Sequence, residues 1–221
     1  MRRTSSPPPT GSPPAPPTQP RGVGRPRSEA THAAILDAAV ELLETESYQA
    51  VSINRIAGQA GVSKQTIYRW WDTKADLVLE AYSRRVFKRA APPEPSADAF
   101  LELRALLASF FATLDEPRVN KGLRSLIAEA QFDDAFRSKF HAVFVSARRA
   151  LMRQALDHGV ALGQIRRDAD LDLVLDVIYG AFWYRLLSGT TAPLDQAFAE
   201  ALVEVVRPVL SLTHVRKAKS K

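Results

Sequence analysis

The feature that most constrains the fold is a very short connection between two helix-forming segments near residue 61. Apolar residues between Ile53 and Ala60 follow the i, i+3, i+4, i+7 spacing of a helix with one buried face, and Ser52 can cap its first turn. Gly61 is the residue type that ends helices, and Ser63 can cap a new helix only two residues later. This segment therefore predicts a helix-turn-helix unit.

The segment that follows the turn, GVSKQTIYRWW, predicts a helix from Ser63 to Trp71 with two different faces. On a helical wheel Ile67 and Trp71 fall together, with Trp70 beside them, so this side can dock on the first two helices. The opposite side carries Lys64, Gln65, Tyr68 and Arg69. Amide and cationic side chains can pair base edges in the major groove, and a phenol can reach phosphates. The pattern indicates a DNA recognition helix.

The neighbouring helices fit this arrangement. Ser28 is a candidate N-cap for a first helix whose apolar stripe runs from Ile35 to Leu43. Thr73 and Asp76 have the spacing of a capping box for a fourth helix, which turns Leu77 and Ala81 inward. Ser52 and Lys74 each lie at a helix N-terminus, where exposed N–H groups favour a phosphate.

Composition divides the chain. Residues 1–24 hold 8 of the 15 prolines and predict a disordered arm. Arg25 and Arg27 follow it and could enter a minor groove, although a merely solubilising role is an alternative.

We expect a helix-turn-helix domain over residues 25–73, an effector-binding and dimerisation domain over residues 74–213 and a basic tail over residues 214–221. The later domain is predicted to contain helices over residues 97–114, 118–131, 133–160, 170–188 and 194–211.

No hairpin signal or sustained alternation of apolar and polar residues is visible, so the prediction is an all-α fold of about nine helices. The net charge of +6 is concentrated in residues 1–90, which hold 13 of the 30 basic residues and only 8 of the 24 acidic ones. A polyanionic partner is therefore expected at the N-terminal domain. The absence of cysteine excludes disulfides and thiol nucleophiles.

The stretches ILDAAVELLE and SYQAVSINRIAGQAGVSKQTIYRWWDTKADLVLEAY resemble the DNA-binding region of the TetR family of bacterial transcriptional regulators. The resemblance covers roughly residues 27–82. It implies that phosphates are held by Ser52, Thr66, Tyr68 and Lys74. It implies that the side chains approaching bases are Ser63, Lys64, Gln65, Arg69 and Trp70. Trp70 stands where many members have histidine. Trp71 stands where phenylalanine is more usual, and we expect it in the core.

The stretches AEAQFDDAFRSKF and DADLDLVLDVIYGAFWYRLL resemble the regulatory domain of the same family. This implies a homodimer that is built on the last two helices and responds to a small effector, which shifts the fourth helix. The side chains that could line the effector pocket are Phe110, Phe111, Leu114, Phe132, Phe144, Tyr179, Phe182 and Trp183. Ordinary core packing is the alternative for each of them. Their composition favours an apolar or aromatic effector.

The sequence therefore predicts a ligand-responsive repressor that binds a near-palindromic operator as a homodimer. No nucleophile–base pair, metal-ligand set or cofactor motif is present in the sequence, so an enzyme is not expected, and neither a cofactor nor a metal is implied. No apolar run reaches the length of a membrane span and no signal peptide precedes the arm, so a cytoplasmic protein is expected. The alternative is a helical adaptor that binds a protein partner without specific DNA recognition.

Overall fold

The computed structural model describes residues 25–89, 96–189 and 192–211, without the side chains of residues 25–28, 88 and 89. Every regular element in these ranges is helical, apart from one isolated β-bridge between Ile165 and Ser211. The elements in chain order are α1 (Arg25–Thr45), α2 (Ile53–Ala60), α3 (Lys64–Tyr68), α4 (Lys74–Arg89), α5 (Ala99–Leu114), α6 (Pro117–Phe132), α7 (Asp134–Phe140), a π-helical segment (His141–Val145), α8 (Ser146–Ala161), α9 (Leu171–Leu187) and α10 (Gln196–Leu210). The predicted arm and basic tail lie outside the described residues.

The helix-turn-helix is formed by the residues that the sequence indicates. The hydroxyl of Ser52 accepts a hydrogen bond from the backbone N–H of Arg55 and so caps α2. Gly61 ends that helix with φ of 66°, a left-handed conformation that glycine adopts without steric cost. The N–H of Thr66 donates to Ser63 Oγ over 3.1 Å and starts α3. The prediction of a helix-turn-helix is confirmed.

The fourth helix begins with a reciprocal pair of cap bonds and then runs against the first. Thr73 N–H donates to Asp76 Oδ2 over 3.1 Å, and Asp76 N–H donates to Thr73 Oγ1 over 3.2 Å. Leu77 and Ala81 are buried as predicted, and α4 packs closely on α1. The buried carboxylate of Glu44 on α1 is paired over 3.1 Å with Arg85 on α4.

Two predictions for the N-terminal domain are wrong. Ser28 does not cap α1, because this helix already begins at Arg25 and so also contains Arg27. These two arginines belong to the first turn of a helix rather than to a preceding arm. The third helix ends at Tyr68 instead of Trp71. After Tyr68 the backbone N–H groups of Trp70 and Trp71 both donate to one acceptor, the carbonyl oxygen of Ile67. Arg69 and Trp70 therefore follow the recognition helix.

The long helix predicted over residues 133–160 is present but interrupted. Asp133 caps α7, and the π-helical segment His141–Val145 connects α7 to α8 without a break in the helical path. Counted as one rod, these three elements bring the number of helical rods in the described ranges to nine. The other boundaries of the C-terminal helices shift by at most two residues, and the two largest shifts occur where Asp98 caps α5 and Asp195 caps α10.

The C-terminal domain is built around α5, which packs on both α8 and α10. Gly159 of α8 is required where this helix meets the start of α5, since a Cβ atom there would lie 2.7 Å from the Cβ of Ala99. The apolar core is continuous from α1 to α10. The N-terminal and C-terminal domains therefore share one interior.

Candidate functional site

The third helix presents to solvent the polar side chains that the sequence places on one side. Lys64 and Gln65 are exposed, and Tyr68 is 53% exposed. Ile67, on the opposite side, is completely buried against the domain. We call the outward-facing set the recognition surface, and it comprises Ser63, Lys64, Gln65, Thr66, Tyr68 and Arg69. Two cations, an amide, a phenol and two hydroxyls can there bond base edges and phosphate oxygens.

Two adjacent tryptophans follow the recognition surface and have different environments. Trp71 is 4% exposed, stacks on His32 with ring centroids 4.7 Å apart, and donates from Nε1 to Glu80 over 2.8 Å. The prediction that Trp71 is a core residue is confirmed. Trp70 is 45% exposed, and its ring meets the edge of His32. His32 was not singled out from the sequence, because only the packing of α1 brings it between the two indoles.

The structure gives Lys74 partners that the sequence does not indicate. Its ammonium group donates to the carbonyl oxygens of Tyr48 and Val51, over 2.9 and 3.0 Å, and lies 3.9 Å from the centre of the Tyr48 ring. Burial lowers the pKa of this lysine. Lys74 thus ties the start of α4 to the turn before Ser52. Two of its three N–H groups therefore serve the fold, and the phosphate contact predicted for Lys74 stays a prediction for the third.

Replacement of Lys74 by methionine should therefore destabilise the protein even without DNA. The variant keeps the aliphatic stem but leaves two backbone carbonyls without their donor, so we expect the free energy of unfolding to fall by about 1–3 kcal/mol. Denaturant unfolding measures this change. Lys64→Met is the matched control, because Lys64 is exposed on α3, and its stability should stay within about 0.5 kcal/mol. Equal stability of the two variants would contradict the structural role.

The N-terminal end of α4 also contacts the C-terminal domain. Lys139 of α7 donates to Asp76 over 2.6 Å, and the ring of Phe136 lies 4.7 Å from that of Tyr48. Further along α4, Tyr82 donates to the carbonyl of Val119 over 2.6 Å. The helix-turn-helix is therefore held by directional contacts, and a movement of α4 must change them.

Most of the predicted pocket residues are buried, but they form two groups. Phe110 and Phe111 lie 5.3 and 5.8 Å from Phe182, measured between ring centres, and Trp183 lies 4.8 Å from Phe182. Phe144 instead packs near Phe87, Tyr82 and Phe140. Leu114 is buried, and Tyr179 and Trp183 are half-buried. Phe198, which stacks on Phe111, was missed because its role depends on the approach of α10 to α5.

Phe132 was predicted to line the pocket, and this prediction is wrong. Its side chain is 90% exposed at the last residue of α6. The chain bends at this point, because Asp133 leaves the helical conformation to cap α7. The ring therefore projects beyond the end of the helix instead of lying on its buried face.

A buried charge lies between the two aromatic groups. Arg148 of α8 is 2% exposed, and its guanidinium carbon lies 4.2 Å from the centre of the Phe110 ring and 5.0 Å from that of Phe87. Among the described residues, Nε and Nη2 of Arg148 have no hydrogen-bond partner, and neither has the hydroxyl of Tyr179. A sequence signal existed, since Arg148 interrupts a series of apolar residues spaced four apart.

Burial shifts the ionisation of both groups. It lowers the pKa of Arg148 to about 10, so the guanidinium still carries its charge at neutral pH. It raises the pKa of Tyr179 to about 12, while the charge of Arg148 acts in the opposite direction. At neutral pH, this part of the interior therefore contains a cation and a phenol that can both donate hydrogen bonds.

In the described ranges no helix has both the length and the apolarity that crossing a membrane demands. The same ranges contain no group of three or more histidine or acidic side chains that could hold a metal ion.

The chain matches known proteins over both domains. The family described as bacterial regulatory proteins of the tetR family matches residues 35–81, and the tetracyclin repressor-like C-terminal domain matches residues 93–206. An uncharacterised helix-turn-helix transcriptional regulator of Bacillus subtilis is 34% identical over 164 residues, which cover 74% of this chain and 82% of that protein.

Solved structures agree with this match. The crystal structure of a TetR family transcription regulator has a TM-score of 0.67 and 34% identity, and the match covers 81% of this chain and 98% of that one. FadR from Bacillus subtilis in complex with stearoyl-CoA has a TM-score of 0.64 and 20% identity, with 82% of this chain and 98% of that chain covered. At that identity the likeness to FadR shows the fold alone.

Proposed function

The chain belongs to the TetR family of bacterial transcriptional regulators, and on this basis we propose that it represses genes by binding a near-palindromic operator as a homodimer and leaves the operator when a small effector binds. The observation that carries the proposal is the recognition surface, an exposed polar face on a helix whose other face is buried. We propose that it acts in the bacterial cytoplasm, where the DNA is, and that it has no catalytic role.

In the proposed complex, α3 lies in the major groove. Gln65, Lys64 and Arg69 would bond base edges, because amide and cationic groups read adenine and guanine there. Ser63 and Trp70 complete the set that approaches the bases. The phosphate contacts would be made by Ser52, Thr66, Tyr68 and the remaining N–H of Lys74. Arg25 and Arg27, in the first turn of α1, are proposed to reach the adjacent minor groove.

A homodimer is supported by an apolar stripe on α9. Its members recur at helical spacing, so they share one side of the helix. Tyr184 is 68% exposed and Leu173 is 58% exposed, although other residues of α9 belong to the buried core. Large apolar side chains exposed together on one helix face often mark an interface. We call this set the dimer stripe, and it comprises Leu173, Val177, Gly180, Tyr184 and Leu187. On α10, Val205 and Val209 are exposed too. We propose that α9 and α10 of two subunits pack together through these faces.

Effector response is supported by the packing of the two domains. Phe87 of α4 is half-buried and lies 6.3 Å from the buried Phe144 of the C-terminal domain, measured between ring centres. A ligand that entered between these rings would move α4, and the opposite end of α4 holds the turn before α2, the first helix of the helix-turn-helix. Dimers read two half-sites about 34–36 Å apart, so a changed separation of the two α3 helices would weaken binding. The related FadR has been crystallised with an acyl-CoA, which supports an apolar effector in this fold.

Replacement of Gln65 by alanine tests the proposed function. We expect the variant to lose about 1–3 kcal/mol of discrimination at one base position in each half-site, because a bidentate amide contact disappears. The measurement is selection of bound DNA from a random pool by the full-length protein, followed by titration of the selected operator and its single-base variants. Gln131→Ala, an exposed glutamine on α6, is the control and should read the same sequence as the native protein.

Two results would count against the proposal. If no preferred sequence emerges from the pool, the chain does not recognise DNA specifically and the adaptor alternative gains support. If a sequence emerges but Gln65→Ala reads it unchanged, the recognition surface is docked differently from the arrangement described above.

A further inference from the structure

A core position on the helical rod around α8 is occupied by a charged residue. Phe140, Phe144, Arg148 and Met152 follow one another at intervals of four residues, and all four are buried. A buried ionised group without a paired charge is strongly unfavourable, so a guanidinium at this position needs an anionic partner. Within the described ranges, none of its hydrogen-bond donors at Nε and Nη2 finds an acceptor.

The neighbours of Arg148 indicate what kind of group could pair with it. Its guanidinium lies over the faces of Phe110 and Phe87, which stabilise a cation but accept no conventional hydrogen bond. Tyr179 lies on α9, which packs on α8, and among the described residues its hydroxyl is also a buried donor without a partner. Several buried donors and one positive charge together require an acceptor that is negatively charged.

A group that pairs with Arg148 would carry about one negative charge. Arg149, the next residue, is already paired with Asp176 over 2.7 Å and with Asp172 over 3.1 Å. The charge of Arg149 is therefore already neutralised. A single negative charge would balance the guanidinium of Arg148. This favours a carboxylate over a phosphate, which carries more charge at neutral pH.

The backbone next to Arg148 is also unusual. The π-helical segment His141–Val145 inserts extra residues into the helical path directly before α8. Phe144 within the segment and Arg148 after it are both buried. Short π-helical segments are uncommon and occur often at functional sites.

We propose that Arg148 and Tyr179 bind the carboxylate of an organic acid whose apolar body packs against Phe87, Phe110 and Phe144. This proposal rests on the proposed effector response and names the chemical class of the effector. The planar guanidinium offers two parallel N–H donors that match the two carboxylate oxygens, and the phenol adds a third donor. A neutral apolar effector would leave all these donors unsatisfied.

Binding at Arg148 reaches the DNA-binding domain through Phe87. The guanidinium rests on this ring in the structure, and Phe87 lies near the C-terminal end of α4. A carboxylate draws the guanidinium toward itself and its apolar body competes for the same ring face. Both effects displace the end of α4, whose first turn is tied by Lys139 to α7.

Replacement of Arg148 by methionine tests the site without any ligand. Met152 shows that this helix face accepts methionine, and the variant removes a buried charge that has no partner. We expect the melting temperature of the full-length protein to rise by about 2–8 °C. Arg153→Met, at a partly exposed arginine five residues further on that is paired with Asp157 and Asp172, should not raise it. A fall in the melting temperature of Arg148→Met would show that the arginine is structural and would overturn the proposal.

Carboxylates with neutral counterparts test the ligand class directly. Dodecanoate and 2-naphthoate at about 1 mM should raise the melting temperature of the native protein by roughly 2 °C or more, whereas dodecanol and 2-naphthamide should not. Comparison of the two acids separates aliphatic from aromatic bodies. Arg148→Met should lose the response, and Tyr179→Phe should weaken acid binding roughly three- to tenfold. If neither acid stabilises the native protein, or if Arg148→Met responds equally, the proposal fails.

The same acids separate this proposal from the proposed function. Release of the selected operator is followed by fluorescence anisotropy with each acid and its neutral counterpart. An acid that binds through Arg148 and releases the operator supports both. An acid that binds through Arg148 without releasing the operator upholds the carboxylate site and contradicts the effector response.

Discussion

The double substitution Val177→Asp with Tyr184→Asp is expected to convert the proposed homodimer into monomers and to lower operator affinity by roughly 100-fold or more. Both residues lie on the dimer stripe and are exposed by 46% and 68%. Two carboxylates at the centre of an apolar interface would each be buried without a partner, and in the dimer they would face their own copies. The free subunit should fold normally, since these positions face solvent.

The loss of affinity follows from how a dimer reads DNA. One subunit contacts one half-site, and the linked second subunit then binds at a high effective concentration. A monomer loses this advantage even though its recognition surface is intact. Analytical ultracentrifugation measures the mass, and anisotropy with labelled operator measures the affinity.

Leu162→Asp is the matched control for this experiment. Leu162 is 44% exposed at the C-terminal cap of α8, outside the dimer stripe. We expect this variant to remain dimeric and to bind the operator as the native protein does. A double variant that still sediments as a dimer would place the interface elsewhere, and a native protein that sediments as a monomer would remove the homodimer from the proposed function.

Replacement of Trp71 by alanine should cause the largest loss of stability in the DNA-binding domain. The indole is almost completely buried, stacks on His32 and donates to Glu80. Truncation of a buried aromatic side chain leaves a cavity and costs about 3–5 kcal/mol. The loss also removes the anchor between the end of the recognition helix and α4, so operator binding should fall with it. Thermal and denaturant unfolding provide the measurement.

Two further variants show which property of Trp71 matters. Trp71→Phe keeps a ring in the core but removes the bond to Glu80, so it should cost about 1–2 kcal/mol. Trp70→Ala removes a ring that is about half exposed and should cost clearly less than Trp71→Ala. If Trp70→Ala destabilised the protein as much as Trp71→Ala, the packing of the two indoles described above would be wrong.

Several features of the DNA-binding domain followed from short-range rules. Ser52, Gly61 and Ser63 were assigned to helix ends because a cap bond spans only two or three residues. The exposure of Gln65 and the burial of Ile67 followed from the helical period. The family resemblance, seen in the same residues, is confirmed by the family match over residues 35–81. The dimer, the DNA contacts and the effector remain proposals.

Other features depended on contacts between distant segments. Lys74 has the sequence position of a phosphate ligand, but a turn 23 and 26 residues earlier supplies carbonyl acceptors for its ammonium group. Phe132 has the composition of a pocket residue, but the bend after α6 exposes it. Neither outcome follows from the helical period, because both depend on where the next element lies.

The local pattern of caps, apolar periods and turn residues was sufficient to establish an all-α chain with an exposed polar recognition helix, because each of these signals acts within about one helical turn. Long-range packing established the position of His32 between two indoles, the internal bonds of Lys74 and the buried, unpaired guanidinium of Arg148. Burial and hydrogen bonding at these positions depend on helices that are far apart in sequence, and their approach is determined by the shape of the whole core.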